Sequence, residues 1–487
     1  MILNDLFRNY VNALVGKNQE FENLLHAKDV NSAKDRMVFR QDEVMEAMKE
    51  FDTRSHLVMK REDKIVTDKQ GRIVRKEPVW KLPIPYPVFI NEVALVFLYA
   101  RPVRWVQNSE DTDEAFRAYN DFIKSTRFDS KIRQCKRYAG SETESAMLFR
   151  VFKNDDGRAD CQIRVLARSK GDEIYTRFDQ YENLTAFAWG YYAKDEEETA
   201  VYHWDCYTAK TVYHCTKKPL GWDVVEERNA VGKIPVIYFR QEKEWAGVES
   251  LIHREEFIVS RTADTNDYFS DPIAVMNADI IKNMPEKKEA AKVLVTNSQD
   301  GVNNAVKYLT WDSAPESKRQ ELEWLQTQIL QKTFTPNITT DTLKSVSQLS
   351  AKALRTVMLL ADIKAAKRKE THDELLDRTS TLIASIIGNV LDVSLAEQCG
   401  RLKVAHEYQE PFGEDIAESI NNIIRSVDAG ILSVETAVAL NPLVKDSVGE
   451  LGRIREKEEE MQKRQEMMFA TANGDEGAQS ATDEDEE

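Results

Sequence analysis

Apolar residues recur at helical spacing near the start of the chain and at alternating positions in its middle. Over residues 1–60 the spacings are three and four residues, which predicts helices, as in Leu3, Phe7, Tyr10, Val11 and Leu14. From about 148 to 240 the pattern changes to short alternating runs such as CQIRVLA and TVYHCT, separated by turn residues. Such runs predict β-strands, so the middle of the chain is expected to be a β-rich insert between helical regions.

The segment between these two regions begins with a predicted hairpin. Residues 61–80 contain two alternating runs around the turn residues Asp68–Gly71. The run Leu82–Pro87 should be extended, because each proline fixes its own φ and disfavours helix at the residue before it. Helices are predicted for Val88–Tyr99 and Asp111–Lys124.

Long helices dominate the second half of the chain. They are predicted for Glu249–Phe269 and for Glu316–Lys332, where Pro315 suits the first turn. The segment 333–340 breaks the helix, and 349–387 then follows without proline or glycine. This segment can form one helix about 60 Å long. A rod of that length needs a large surface to bury it.

The end of the chain consists of a predicted helical segment followed by an acidic tail. Residues 411–465 show helical patterns, with Gly430 as a helix stop and Ser433 as the start of the next helix. The final GDEGAQSATDEDEE has seven acidic residues and no basic one. It is predicted to be a disordered, solvating tail.

Composition and charge narrow the possible functions. The 487 residues include 67 Lys and Arg against 83 Asp and Glu, so the formal net charge is −16. A surface that binds nucleic-acid phosphates over its whole extent is therefore not expected. Hydrophobic residues at 42% rule out wholesale disorder, and five scattered cysteines favour a reducing cytosol over a disulfide framework. The start resembles no signal peptide, and the longest apolar run, Val93–Ala100, is too short to span a membrane.

No motif in the sequence predicts an enzyme. The phosphate-binding loop and the HExxH, CxxC and GxSxG motifs are missing. The best metal candidates are four soft ligands in one predicted hairpin: His203, Cys206, His214 and Cys215. Strand alternation turns each His–Cys pair to opposite faces, so strand packing is the preferred interpretation. The acidic pairs Glu255-Glu256 and Asp373-Glu374 are interpreted as solvated helix faces. We therefore expect no catalytic residue, no cofactor and no metal.

Basic residues concentrate in residues 339–369. Seven bases stand there against two acids: Lys344, Lys352, Arg355, Lys364, Lys367, Arg368 and Lys369 against Asp341 and Asp362. If this segment lined a DNA conduit, it would contact phosphates without reading bases. Because Lys364, Lys367 and Arg368 share one helical face, a solvated face, or one that pairs with acids of a neighbouring subunit, is the alternative. Trp324 and Phe334 are interpreted as packing residues.

Four stretches, in this order, resemble the portal proteins of long-tailed bacteriophages. They are Ile90–Trp105; Gly232–Phe239 with Gly247–Ser250 and Ser270-Asp271; Tyr308–Leu330 with Thr335–Asn337 and Ser350–Leu354; and Gly430–Thr436 with Asn441-Pro442 and Glu450-Leu451. Each motif alone is weak, but together they extend over about residues 80–460. Many relatives carry Ser-Gly in the third stretch, where this chain has Ser350-Ala351.

The resemblance implies an α+β fold, mainly α, with a portal-like architecture. Its parts would be a β-containing wing (1–248, with part of 349–405), two stem helices (249–272 and 315–333), a small mixed α/β clip (273–314), a tunnel loop (334–348), a long spine helix with its return (349–405), a helical crown (410–465) and the disordered tail (466–487).

The resemblance also implies a function. Members of the family form a ring, usually of twelve subunits, at one capsid vertex, through which duplex DNA is packaged and ejected without sequence reading. The implied partners are other copies of the chain, the terminase large subunit, the major capsid or scaffolding protein and head–tail adaptors, with no membrane. The protein would belong to the virion after assembly in the host cytoplasm.

The residues that this resemblance assigns fall into two groups. The DNA channel and tunnel loop would use Thr335, Asn337, Thr339, Thr340, Lys344 and Lys352. The clip would dock its partners through Lys282, Lys287, Lys288 and Lys292. Because the chain lacks a nucleotide-binding loop, a separate motor would have to drive the DNA.

Two alternatives stay open at this point. One is a non-enzymatic helical scaffold or adaptor of virion assembly, which fits the composition but does not account for the four ordered motifs. The other is a nucleic-acid-processing enzyme with a metal held by acidic residues, for which the sequence offers no recognisable spacing.

Overall fold

The computed structural model describes residues 20–68, 70–194, 198–270, 273–276, 306–309, 315–337, 351–409, 416–441, 443–444, 449–457, 460–461 and 463. The predictions for residues 1–19, most of the clip, the tunnel loop beyond Asn337 and the acidic tail lie outside this part of the chain. The chain divides into two compact units, Met1–Ser345 with Thr356–Pro411, and Val346–Arg355 with Phe412–Glu487. The boundaries of wing, stem, clip and crown stay predictions.

Helices and strands both occur in quantity, so the fold is mixed α/β. After a helical segment at 20–26, the helices are α1 Val30–Asp35, α2 Gln41–Phe51, α3 Tyr86–Tyr99, α4 Asp113–Ser125, α5 Phe128–Glu142, α6 Glu249–Ser270, α7 Pro315–Lys332, α8 Ala351–Ile386, α9 Ala396–Arg401, α10 Ile416–Asp428 and α11 Val434–Leu440. The strands are β1 Lys64–Thr67, β2 Ile73–Glu77, β3 Arg104–Gln107, β4 Glu144–Lys153, β5 Ala159–Leu166, β6 Glu173–Phe178, β7 Leu184–Lys194, β8 Ala200–Tyr207, β9 Thr211–Lys218, β10 Gly221–Arg228, β11 Val236–Arg240, β12 Ile273–Met276, β13 Val306–Leu309 and β14 Val404–Glu407.

An antiparallel sheet of five strands, in the order β10-β9-β8-β7-β6, forms the outer layer of the β region. One of its faces packs under the N-terminal helices, where Cys206 and Cys215 are fully buried beside Phe21 and Leu25. On the opposite face His203 stacks on Tyr191. The hairpin's soft ligands are therefore divided between two faces, as strand alternation predicts. Among the described residues, no group of three or more His, Cys, Asp or Glu is arranged to hold a metal ion.

A second sheet, in the order β11-β4-β5, lies between the five-stranded sheet and the helices. Alternation along β4 explains this position, because Ala146 and Leu148 pack toward the five-stranded sheet while Met147 and Phe149 pack toward the helical core. That core joins α3, α4 and α5 to the C-terminal half of α8, including Leu382 and Ile386.

Most of the helices predicted from the sequence are confirmed, with shifts of one or two residues at their ends. The long helix forms as a continuous α8 of 36 residues, followed by a π-helical turn at Ile387–Leu391. The proline run is shorter than predicted, because α3 begins at Tyr86 with Pro87 in its first turn. Several elements are missing from the sequence prediction, namely the helices α5 and α9 and the strands β3, β6, β10 and β14.

The described part of the second unit contains the two short helices α10 and α11. Gly430 has a φ of +66°, which suits the predicted stop after α10. Ser433 begins α11 by accepting a hydrogen bond from the backbone N–H of Thr436. No helix among the described residues is both long enough and apolar enough to cross a membrane.

Candidate channel-forming region and its anchor

The helices α6 and α7, which the resemblance assigns to the stem, pack on each other. Ile252 of α6 and Ile329 of α7 are buried in one apolar cluster with Ile90 of α3 and Trp245. At their surface, the Arg254 guanidinium forms an ion pair with Glu321 at 2.8 Å. The apolar cluster is the main stabilising contact, because an exposed ion pair contributes little.

The proline-rich segment before α3 binds along α6 by a matched spacing. The backbone N–H groups of Trp80, Leu82 and Ile84 donate to the side chains of Asp264, Ser260 and Glu256, at 2.7, 3.0 and 2.8 Å. Two residues of extended chain span nearly the same distance as four residues of helix. Every second N–H of the segment therefore lies beside a side chain of the next turn of α6. The prolines at 83 and 85 stand at the positions between these donors, where the missing backbone N–H of proline costs no hydrogen bond to α6.

The acidic pair Glu255-Glu256 is not a solvated face, and that prediction is wrong. Glu256 is fully buried and accepts from His56 Nδ1 at 2.6 Å, while Glu255 accepts from the Tyr86 hydroxyl at 2.9 Å. Burial opposes protonation of His56, but the hydrogen bond and attraction of Glu256 outweigh it and raise the pKa of His56 above 6.5. Burial raises the pKa of Glu255. Glu256 therefore fastens His56 and Ile84 to α6, and Glu255 fastens Tyr86. Neither carboxylate is directed to solvent.

The α7 helix ends in a Schellman motif with a phenylalanine at the position that glycine usually takes. The Thr335 N–H donates to the Leu330 carbonyl at 2.8 Å, and the Phe334 N–H donates to the Gln331 carbonyl at 3.1 Å. Phe334 has a φ of +53°, where a side chain costs about 1–2 kcal/mol. Its ring is 41% exposed, so within one chain packing does not offset this strain.

The structure describes only part of the predicted channel. Thr335 is 1% exposed and its hydroxyl lies 3.0 Å from that of Thr333, so its side chain faces the interior of this chain. Asn337 is exposed and ends the described segment. Lys352 lies in the first turn of α8, with its side chain outside the description. The channel residues Thr339, Thr340 and Lys344 and the clip residues Lys282, Lys287, Lys288 and Lys292 lie outside the described residues.

Two of the basic residues of α8 turn toward the interior of the chain. Lys364 Nζ lies 3.1 Å and Arg368 3.3 Å from the carboxylate of Glu244, and Lys136 of α5 binds the same carboxylate. Lys364 also donates to the Glu244 carbonyl at 3.0 Å. The sequence predicted either contact with DNA phosphates or a solvated or intersubunit face for these side chains. Both interpretations are wrong for Lys364 and Arg368. They are turned inward because a fully buried carboxylate attracts them.

The charges of this buried cluster are unequal, since three cations surround one carboxylate. Burial alone would raise the pKa of Glu244, but attraction to Lys136, Lys364 and Arg368 outweighs it and holds the pKa well below 4.5. Burial lowers the pKa of Lys364 to about 8, against the attraction of Glu244. Burial also lowers the pKa of Lys136. Glu244 therefore stays ionised and fastens α8 to α5 and to the loop before α6.

One turn beyond the cluster, α8 is fixed to α3. The Tyr99 hydroxyl lies 2.7 Å from Nδ1 of His372, and both side chains are buried. Burial, reinforced by repulsion from Lys136 and Arg368 and opposed by Glu244, lowers the pKa of His372 to about 3. His372 is therefore neutral at physiological pH, and its Nδ1 shares a hydrogen bond with the Tyr99 hydroxyl. Further along, Asp373 and Asp377 both contact the ring of His406.

These contacts support α7 at Ile329 and α8 at Lys364, Arg368 and His372. Sequence reasoning missed the supports because Lys136 and Glu244 are 108 residues apart. A usable signal was the four-residue spacing of Lys364 and Arg368 beside apolar Ala361 and Ala365, which places the two bases on the buried face of the helix.

Comparison with known proteins agrees with the resemblance seen in the motifs. The family model described as phage portal protein, SPP1 Gp6-like, matches residues 47–464. A portal protein of Bacillus phage SPP1 is 25% identical over 288 residues, which cover 56% of this chain and 52% of that protein. The chain thus matches about half the length of this relative.

Two solved structures, both of the neck of a GTA particle, are similar at low scores. The neck of the native particle, computed with C12 symmetry, has a TM-score of 0.36 and 10% identity, over 74% of this chain and 90% of that chain. The neck of the empty particle, computed with C6 symmetry, has a TM-score of 0.40 and 8% identity, over 85% and 97%. The assignment therefore rests on the family model, which covers most of the sequence: this chain belongs to the SPP1 Gp6-like family of phage portal proteins.

Proposed function

We propose that the chain is the subunit of a portal ring at one capsid vertex, through which duplex DNA is packaged and later ejected. The match of the family model over residues 47–464 carries this proposal. We infer a ring of about twelve copies and, as partners, the terminase large subunit, the major capsid or scaffolding protein and head–tail adaptors. The protein would be part of the virion, assembled in the host cytoplasm.

Within the ring, α6 and α7 would form the stem and the α7–α8 junction would face the DNA. The buried supports of α8 favour this role, because a junction that DNA slides past must hold its position under load. The acidic net charge of −16 is also suitable, since binding many phosphates tightly would oppose movement. The protein would act without catalysis, with a separate motor hydrolysing the nucleotide.

Lys344 offers a test of the channel assignment. In a channel, Lys344→Glu should lower the yield of DNase-protected genomes severalfold while rings still assemble, because the new charge repels phosphate at the constriction. The matched control is Lys49→Glu, which makes the same charge change at an exposed position in α2. Packaging is measured as protected DNA per capsid, and assembly by electron microscopy. Loss of assembly would make Lys344 an interface residue, and an equal packaging defect in the control would remove the argument for a channel.

A further inference from the structure

A large cavity in the first unit is lined by residues outside α6 and α7. Its volume is about 940 Å³, and it opens between the turns of the five-stranded sheet, the loop before β11 and the C-terminal half of α8. Turn residues Thr208–Lys210 and loop residues Gly232–Ile234 line two of its sides. The buried supports described above do not involve any of these residues.

The cavity is positively charged although the chain is strongly acidic. Four cationic side chains line it against two acidic ones: Arg177, Lys210, Lys233 and Arg378 against Glu22 and Asp377. Asp377 already contacts His406 Nδ1 at 3.2 Å. The lining therefore has a surplus of cations, which attracts an anionic group.

Two of the cations, Arg378 and Lys233, have no acidic partner among the described residues. Lys233 Nζ donates to the Thr381 carbonyl at 3.2 Å, and no carboxylate of the described residues makes an ion pair with either side chain. Burial lowers the pKa of Arg378, and burial together with repulsion from Arg378 lowers the pKa of Lys233. By contrast, the partly buried Arg61 has an acidic partner, Asp264, at 2.6 Å.

The rest of the lining combines apolar side chains with Asn183 and three threonines, and the apolar part restricts the kind of anion. Leu184, Ile234 and Leu382 form part of the wall, together with Phe21. A free oxyanion would neutralise the cations but leave this wall against water, and it would fill little of the cavity. A peptide segment supplies both a carboxylate and an apolar side chain.

We propose that this cavity is a docking site for an acidic peptide segment of a protein partner, which pairs its carboxylates with Arg378 and Lys233 and rests an apolar side chain against Leu184 and Ile234. The lining contains none of the residues proposed for the DNA channel, so the inference does not depend on the portal function. Charge complementarity and the mixed lining argue for it together.

The test uses the purified full-length protein and a fluorescein-labelled peptide, Gly-Asp-Glu-Leu-Asp-Glu-Phe-Gly, followed by fluorescence anisotropy. Arg378→Glu and Lys233→Glu should each weaken binding by about tenfold or more. Lys153→Glu, an equal charge change at an exposed residue outside the cavity, should change it less than about twofold. Because Lys233 is exposed, its variant should fold even if the Arg378 variant does not, and it then decides the result.

Two further arms separate the peptide from a simpler ligand. The peptide with Leu and Phe replaced by Ser should bind severalfold more weakly, and inorganic phosphate should displace the original peptide only at much higher concentration. The proposal is overturned if the wild-type protein shows no saturable binding, or if all three charge variants lose binding equally. It is also overturned if the serine peptide and phosphate compete as well as the original peptide, because the cavity then takes a bare anion.

Discussion

At the scale of single residues, the side chain of Glu244 connects two helices of the fold. Its fully buried carboxylate meets Lys136 from α5 and Lys364 and Arg368 from α8. Gly140 makes this approach possible, because a Cβ there would lie 2.0 Å from the Asn91 side chain and 3.1 Å from that of Glu244. Three cations depend on one anion, so its removal is expected to cost more than the loss of one ion pair.

Glu244→Gln tests this dependence. The amide keeps the size of the side chain but leaves Lys136, Lys364 and Arg368 buried without an anion, so stability should fall by about 3–5 kcal/mol. Glu242→Gln, two residues away and exposed, should change it by less than about 0.5 kcal/mol. Urea denaturation followed by tryptophan fluorescence measures both. Similar midpoints for the two variants would mean that the cluster does not hold α8.

His372 predicts a pH dependence with a defined sign. Its ordinary pKa is 6.5 and burial lowers the pKa to about 3 in the folded chain, so between these values the unfolded chain binds a proton that the folded chain does not. Stability should therefore fall as the pH drops through this window, and the fall should be shallower in His372→Gln. Tm measured against pH in both proteins checks this. Lys136, Arg368 and Glu244 also interact with the ring through their charges. Parallel pH profiles of the wild type and His372→Gln would therefore show that these groups, and not His372, set the dependence.

Sequence patterns predicted residue positions well where one strand or helix decided them, and poorly where charges met across the fold. Alternation placed Cys206 and His203 on opposite faces because a strand has a period of two. Glu256 was misassigned to solvent because its partners, His56 and the Ile84 N–H, lie more than 170 residues away. A polar residue on a helix pattern does not reveal whether a distant donor is present.

At the scale of elements, the break between α7 and α8 is stabilised by backbone hydrogen bonds and opposed by side-chain strain. The Schellman motif satisfies the last carbonyls of α7, while Phe334 occupies the left-handed region with an exposed ring. A strained residue whose strain is not offset by packing is a candidate for a functional role. Phe334 lies in the segment that leads into the predicted tunnel loop.

Phe334→Gly should therefore separate stability from function. Glycine adopts a positive φ without strain, so stability should rise by roughly 0.5–1 kcal/mol, while the yield of DNase-protected genomes should fall. Asp111→Gly is the control, since Asp111 has a φ of +54° in a loop before α4 and tolerates that conformation better. Its stability should rise less and its packaging should not change. If Phe334→Gly were less stable than wild type, the strain account would be contradicted.

The long α8 was the most predictable element and α5 the least. Residues 349–387 contain no helix breaker, so α8 followed from the absence of proline and glycine. In α5 the buried positions Phe128, Ile132, Cys135 and Ala139 do have helical spacing, but nine of the helix's fifteen residues are polar or charged and obscure it. Arg127 precedes α5 in a left-handed conformation, without a polar capping bond that the sequence could signal.

At the scale of the whole molecule, one side of α8 is buried by its own chain and another side is not. Ala361, Lys364 and Ala365 face the interior, whereas Leu359 and Ile363, four residues apart, are 55% and 45% exposed. An exposed apolar pair on a supported rod is suited to packing against another copy of the chain. The ring proposed above requires such a contact between copies.

Cryo-electron microscopy of the purified full-length protein tests this central claim most directly. The account predicts closed rings of about twelve copies in which residues 333–352 surround a central channel wide enough for a DNA duplex, with Leu359 and Ile363 covered by a neighbouring subunit. A stable monomer under assembly conditions, or a ring that carries residues 333–352 on its outer rim, would contradict it.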